Sequence, residues 1–199
     1  MPDQIERKLS GLNVFDFDNT LYEGESGIDL FFFYLKKRPS LIRFAPVVLI
    51  GVIKYKLHKV QLTDAVQRYA GIISIFLRGV KDFDADAKEF WDKHAHKLRS
   101  FYQTLHREDD LVISASPEQS LKEVCGRLGI KRWIGTRVNE ETHALEFICF
   151  RENKVRAFLE RYPGERIENF YTDSMNDKPL MDLAEHVFFV RRDGMEQIK

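Results

Sequence analysis

Long apolar runs are missing from this 199-residue chain. Its most apolar stretch, Leu41 to Ile53, is interrupted by Arg43, Pro46 and Gly51, and it falls short of the roughly 20 residues that a membrane-spanning helix needs. Met1 to Ser10 is polar and charged, without the apolar centre of a secretory signal. Cysteine is scarce as well. Cys125 and Cys149 make no disulfide framework, and their separation fits no metal-ligand pair, so a reducing, cytoplasmic setting is expected. Net charge is absent: 31 basic residues balance 31 acidic ones. No global field therefore draws the chain to nucleic acid or to an anionic membrane, and no nucleic-acid partner is expected. Internal repeats and low-complexity segments are also lacking.

What remains is an ordinary globular composition, 44% hydrophobic and 31% charged, of a length that buries one substantial core and leaves room for an insertion or a small companion domain. Leu12 to Phe17 is a short apolar run broken only by Asn13 and Asp16, as expected of a strand buried on both faces. Leu111-Val112-Ile113 forms a second strand. It runs into Ser114-Ala115-Ser116-Pro117 and then a helical stripe of Leu121, Val124, Cys125 and Leu128 ending at Gly129. Ser116 fits an N-cap, Pro117 a first-turn proline and Gln119 the far side of a capping box. A third stripe, Val155, Phe158, Leu159 and Tyr162, stops at Pro163-Gly164 and is followed by a strand from Ile167 to Tyr171. A helix near Pro179 to Glu185 and a strand Val187 to Val190 close the alternation, with a pair of short strands at Trp133 to Val138 and Ala144 to Phe150. Strands alternating with helices imply a three-layer α/β core, a parallel sheet with helices on both faces.

Between the first two strands the pattern turns purely helical. Gly27 to Leu35, Leu41 to Leu57, a face of Leu62, Ala65, Val66, Tyr69, Ala70, Ile73, Phe76 and Leu77, and a face from Ala87 to Leu105 suggest a small bundle. The expected division is residues 1–21 and 109–199 as the Rossmann-like core and 22–108 as an inserted helical cap.

In open parallel sheets, ligands bind beyond the carboxyl ends of the strands. Those positions here are Asp16, Asp18 and Thr20, then Ser114 and Ser116, Lys154 opening a helix, and Asp173 and Asp177. Four carboxylates near one point demand a cation or protonation. Magnesium suits such oxygen donors. Lys154 and the Ser114 hydroxyl would then balance a phosphate, a set suited to phosphoryl transfer.

The segment Val14-Phe15-Asp16-Phe17-Asp18-Asn19-Thr20-Leu21 resembles the first motif of the haloacid dehalogenase-like superfamily. Val112-Ile113-Ser114 is similar to its second motif, Lys154 in Glu152-Asn153-Lys154-Val155 to its third, and Asp173-Ser174-Met175-Asn176-Asp177 to its fourth. The insertion resembles the family's type-one (C1) cap, and the nearest subfamily is the phosphoserine phosphatase-like one. The resemblance implies Asp16 as nucleophile and Asp18 as general acid and base. It also implies a magnesium site made of Asp16, the Asp18 carbonyl, Asp173 and Asp177, with Ser114 and Lys154 on the phosphoryl group. Glu25 occupies the stretch where phosphoserine phosphatases place a substrate-binding glutamate. Asn19 and Ser174 depart from it, standing where glycine is frequent.

Each position has a plainer alternative. Asp173 and Asp177 suit helix capping, Ser114 and Ser116 likewise, and Arg151 and Arg156 compete with Lys154. His94 and His96 are two apart and would not share a helix face as metal ligands. The expected activity is hydrolysis of a small phosphorylated metabolite. Alternatives are a phosphatidylglycerophosphate or lysophospholipid phosphatase touching lipid through Phe31 to Tyr34 and Leu41 to Ile53, and a non-catalytic phosphate- or partner-binding module.

Overall fold

The computed structural model describes residues 11–46, 50, 80, 82–139, 141–192 and 194–199. Seven strands form one sheet: β1 (Leu12–Phe15), β2 (Leu111–Pro117), β3 (Arg132–Val138), β4 (Leu145–Phe147), β5 (Ile167–Thr172), β6 (Ala184–Arg191) and β7 (Gly194–Gln197). Their spatial order is β4-β3-β2-β1-β5-β6-β7. The five central strands are parallel, as the alternating pattern requires, and the edge strands β4 and β7 run antiparallel. The pattern of the sequence did not foretell β7, whose residues Gly194 to Gln197 are all exposed; without a buried face no apolar alternation marks it.

The described helices are α1 (Ser26–Lys37), α2 (Phe83–His94), α3 (Tyr102–Leu105), α4 (Glu118–Leu128), α5 (Glu152–Arg161) and α6 (Lys178–Met181). Alternation of side chains along the strands creates two cores. Phe15, Val112, Tyr171 and Val190 pack on one face with Trp91 of α2 and Leu121 and Val124 of α4. Val14, Ile113, Phe170 and Val187 pack on the other with Ala157 and Phe158 of α5 and Leu180 and Met181 of α6. The result is the three-layer Rossmann-like arrangement.

Several local expectations need correction. The α4 N-cap is Pro117, and no side chain caps it. The capping box at Ser116 and Gln119 does not form: Ser116 belongs to β2 and turns its hydroxyl toward Asp18, while Gln119 donates to the Val138 carbonyl. The stripe from Ala87 to Leu105 is not one helix. After α2 the chain turns through Ala95–Lys97, and Leu98 pairs in antiparallel fashion with Tyr22. This pairing, with the Glu23 amide on the Lys97 carbonyl and the Arg99 amide on the Leu21 carbonyl at 2.8 Å each, ties the segment that leaves β1 to the segment that returns from α2. The helix expected up to Glu185 ends at Met181, because Ala184 already pairs with Ile167 of β5.

α1 covers the helix expected from Gly27, and Pro39–Phe44 is a 3-10 turn. Trp91 lies edge-on to Phe17 and Tyr22 and donates its indole N–H to the Ser120 carbonyl at 3.0 Å, so α2 sits on the core helix α4. The stripe from Leu62 to Leu77 and most of Leu41 to Leu57 lie outside the described residues. Among the described residues no helix is long and apolar enough to cross a membrane.

Candidate active site

Chain order places β2 and β3 on one side of β1 and β5 and β6 on the other, so the strand order reverses at β1. The crevice beyond the strand ends at such a reversal is where ligands bind in this class of sheet. Phe15 is in register with Tyr171, and the Asp16 amide donates to the Tyr171 carbonyl at 2.8 Å. The residues that follow the two strands, Asp16 and Asp173, are therefore set side by side by the ladder itself.

Lys154, in the first turn of α5, is 3% exposed, and its Nζ lies 2.7 Å from both Asp16 Oδ1 and Asp177 Oδ1. Its competitors go elsewhere. Arg151 donates to Asn176 Oδ1 at 2.9 Å, bracing the α5 start against the loop after β5, and Arg156 faces exposed Glu160. Asp177 also accepts from the buried Thr172 hydroxyl at 2.8 Å.

Asp18 anchors a second network. Its Oδ1 accepts from the Ser26 amide at 2.7 Å and its Oδ2 from the Ser116 hydroxyl at 3.2 Å, while the hydroxyls of Ser26 and Ser116 are 2.8 Å apart. Ser114 Oγ accepts from the Ser116 amide at 3.1 Å. Thus the start of α1 and the end of β2 meet on one carboxylate. Ser26 is the partner that sequence reasoning missed, and Ser116, placed among the polar positions at the strand ends and read as a cap, was not paired with Asp18; the S-x-S spacing after β2 was the available signal, since alternate residues of a strand share a face.

Glu25 accepts from the Asn19 side chain at 3.1 Å and is close enough to Asp173 to raise its pKa. Thr20 is fully buried in the same turn, and its hydroxyl oxygen has no hydrogen-bond partner among the described residues. The two departures from glycine are accommodated. Asn19 takes φ 56°, a left-handed conformation asparagine tolerates better than most residues. Ser174 is extended at φ −129° and accepts from the Asn176 amide, so no glycine is needed there. The H-x-H pair has another role: His94 stacks on Phe90 and its Nδ1 lies 2.8 Å from the Phe90 carbonyl.

A family model of haloacid dehalogenase-like hydrolases matches residues 14–182. The chain belongs to this family. No curated protein gives a significant match. Among solved structures, a Bordetella pertussis Tohama I protein of unknown function aligns with TM-score 0.65 at 18% identity, over 86% of this chain and 85% of that one. A HAD family hydrolase from Salmonella enterica serovar Typhi gives 0.63 at 14% identity, over 87% and 60%. A phosphoserine phosphohydrolase-like protein from Francisella tularensis gives 0.59 at 18%, over 89% and 86%. At such identities the likeness speaks for the fold.

The electrostatics of this hydrolase site follow from burial. Burial pushes Asp16 well above the usual carboxylate range, with Lys154 opposing the shift and Asp177 adding to it. Asp18 is also raised by burial, against the hydrogen bonds from Ser26 and Ser116. Asp173 is pushed up to about 7, by burial first and then by repulsion from Glu25 and Asp177. Burial works against the Lys154 ammonium, but Asp16 and Asp177 outweigh it, and the lysine pKa is raised.

Carboxylates with raised pKa values are short of positive charge, and an all-oxygen donor set of this kind suits a hard divalent cation. Among the described residues, no three acidic, imidazole or thiol groups are already gathered as a ready coordination shell. Asp16 and Asp177 are instead drawn onto Lys154.

Proposed function

We propose that the chain is a magnesium-dependent phosphomonoester hydrolase acting through an aspartyl-phosphate. The observation that carries this reading is the unequal treatment of two neighbouring aspartates. Burial raises the pKa of both, but Asp16 also faces the Lys154 ammonium at 2.7 Å, which opposes that shift and favours its ionised, nucleophilic form. Asp18 is held by hydroxyl and amide donors in a buried setting that raises its pKa, which favours a proton available for a leaving group.

In the first step an Asp16 carboxylate oxygen attacks phosphorus, the bond to the substrate oxygen breaks, and Asp18 gives its proton to that oxygen. In the second step the Asp18 carboxylate takes a proton from water, which attacks the same phosphorus and returns Asp16 to its free form. Lys154 and Ser114 hold the phosphoryl oxygens, and backbone N–H groups at the start of α4 add donors. Asp16, the Asp18 carbonyl and Asp173, with Asp177, would hold Mg²⁺, which supplies charge neutralisation at the phosphoryl oxygens.

Substrate choice falls to the insertion. Glu25 at the N-terminus of α1 is a carboxylate at the rim of the site, and it favours a small phosphate ester that carries an ammonium group, as phosphoserine does. Within the aromatic run proposed to touch lipid, Phe33 and Tyr34 are buried in the core and Phe32 is the exposed member. Leu41 is buried as well, while Ile42 and Ile50 are exposed, so the described residues give no continuous apolar face in support of the lipid reading.

The test is turnover of p-nitrophenyl phosphate and then of a panel of phosphorylated metabolites and phospholipids. Asp16→Asn is expected to lower kcat by on the order of 10³-fold or more, and chelation of divalent cations to stop turnover reversibly. Wild-type turnover by Asp16→Asn would rule out Asp16 as nucleophile. No turnover across the panel, with Mg²⁺ bound, would favour a non-catalytic binding module.

A further inference from the structure

Outside the acidic cluster, a cavity of about 390 Å³ lies between the segment that returns from α2 and the hairpin of β6 and β7. None of the residues assigned above to the acidic site lines it. The cationic side chains Lys97, Arg99, Arg191 and Arg192 line it, together with His96, and among the described residues Glu23 is the one carboxylate that lines it. Lys97 is matched by Asp29 at 2.6 Å, and Arg191 by exposed Glu196 at 3.6 Å. Among the described residues, Arg99 and Arg192 have no carboxylate partner.

Arg99 is the informative member. Its backbone is fixed by the amide bond to Leu21, and one terminal nitrogen reaches the Arg191 carbonyl at a long 3.4 Å. Its Nε is buried and has no acceptor among the described residues. A guanidinium donor withdrawn from water and left without an acceptor is costly, and the side chain that carries it lines the cavity among further cations. Beside Ser100 and Gly194, the rest of the lining is an apolar wall of Leu98, Phe101, Val190 and Met195. Forked donors beside an apolar wall match a phosphoryl group attached to a small hydrophobic body.

We propose that this cavity is a second anion site that takes a small organic phosphate, with its phosphoryl oxygens on Arg99 and Arg192 and its apolar part against Phe101 and Met195. A ligand there ties the β6–β7 hairpin to the strand-like pairing of residues 97–99 with 21–23. That pairing leads directly to Glu25 and Ser26, the contacts of the Asp18 turn. The site is independent of the proposed hydrolysis and stands or falls by binding.

The probe is phenylphosphonate, which carries the required chemistry and has no P–O–C bond to hydrolyse, titrated into ¹⁵N-labelled protein in the presence of EDTA. Amides of residues 97–101 and 190–195 are expected to shift, as a set separable from any shifts around Asp16 and Lys154. Arg99→Gln is expected to weaken that set's apparent affinity by about tenfold, leaving the Asp16 set unchanged. Arg192→Gln, at an exposed side chain, serves the same purpose should Arg99→Gln fail to fold. Shifts confined to the surroundings of Asp16 and Lys154 would overturn the proposal. So would a 97–101 and 190–195 set with the same affinity in both variants.

Discussion

Replacing Lys154 by methionine tests the electrostatic heart of the site. The lysine is 3% exposed and makes two ion pairs of 2.7 Å, with Asp16 and Asp177 side chains that are 10% and 3% exposed. Methionine keeps much of the volume but leaves two carboxylates facing one another in a buried site. Removing one partner of a buried ion pair costs about 3–5 kcal/mol. The upper end is not reached, because burial already pushes the Asp16 carboxyl upward and the variant can relieve repulsion by binding a proton. We expect about 3 kcal/mol near pH 8 without divalent cations. With a urea m-value of about 2 kcal/mol/M, that lowers the unfolding midpoint by about 1.5 M. The loss shrinks toward pH 5.5 as the carboxyl protonates, and it shrinks again when Mg²⁺ is added, since a cation replaces the missing charge. A loss under about 1 kcal/mol at pH 8, or one that grows on acidification, would refute the reasoning.

The remaining expectations concern neighbouring groups. Asp173 holds its proton up to about 7 in the metal-free protein, while the unfolded chain releases it near 3.9; the folded state thus binds the extra proton across that window, and stability from this group is lost as pH rises through about 7. Thermal unfolding of the metal-free protein should show this term, and Asp173→Asn should abolish it. Because a cation must displace that proton, apparent Mg²⁺ affinity should fall by up to about tenfold per pH unit below 7, read by Mg²⁺ titration of activity or of melting temperature. Ser116→Ala removes a hydroxyl shared by Asp18 and Ser26 and should lower kcat about tenfold with little change in KM, whereas Ser116→Thr should recover most of it. Gly135→Ala places a Cβ 2.7 Å from the Ser116 carbonyl and 2.8 Å from Leu121; forcing β3 from β2 should cost about 1–3 kcal/mol in chemical denaturation and reduce kcat as the strand end shifts.

The core and the placing of the acidic groups could be read from the sequence because both obey short-range rules. A parallel strand buried on both faces is apolar throughout, so Asp16 stood out against Leu12, Val14 and Phe15, and the reversal of strand order at β1 brings Asp173 beside it. Lys154 was separable from Arg151 and Arg156 only through the motif resemblance, since all three share one helix start and local pattern cannot say which turn faces inward. The structure gives the reason: Lys154 is buried on α5, whereas Arg151 lies at the N-cap and Arg156 is exposed. β7 was invisible because an exposed edge strand carries no apolar signature.

The misread capping box shows where local pattern fails and why. Ser116-Pro117-Glu118-Gln119 satisfies every local rule for a helix start, yet the strand continues through Ser116, which pairs through the neighbouring Pro117 with Thr136 of β3. A capping bond is worth about 1 kcal/mol, and so is an ordinary hydrogen bond; local preference alone therefore could not decide. The decision falls to Asp18, a buried carboxylate whose unmet acceptors would cost more than a missing cap. Withdrawing Ser116 from the helix to satisfy Asp18 is a choice that only the assembled site makes possible. A variant with Asp18→Leu should release it: the Ser116 hydroxyl then has the α4 amides as its alternative partners, and a new hydrogen bond in which the Glu118 or Gln119 amide donates to the Ser116 hydroxyl oxygen in a crystal structure is the outcome that supports this account. Retention of the present Ser116 rotamer on Ser26 alone would show that the contact with α1, and not the carboxylate, holds it.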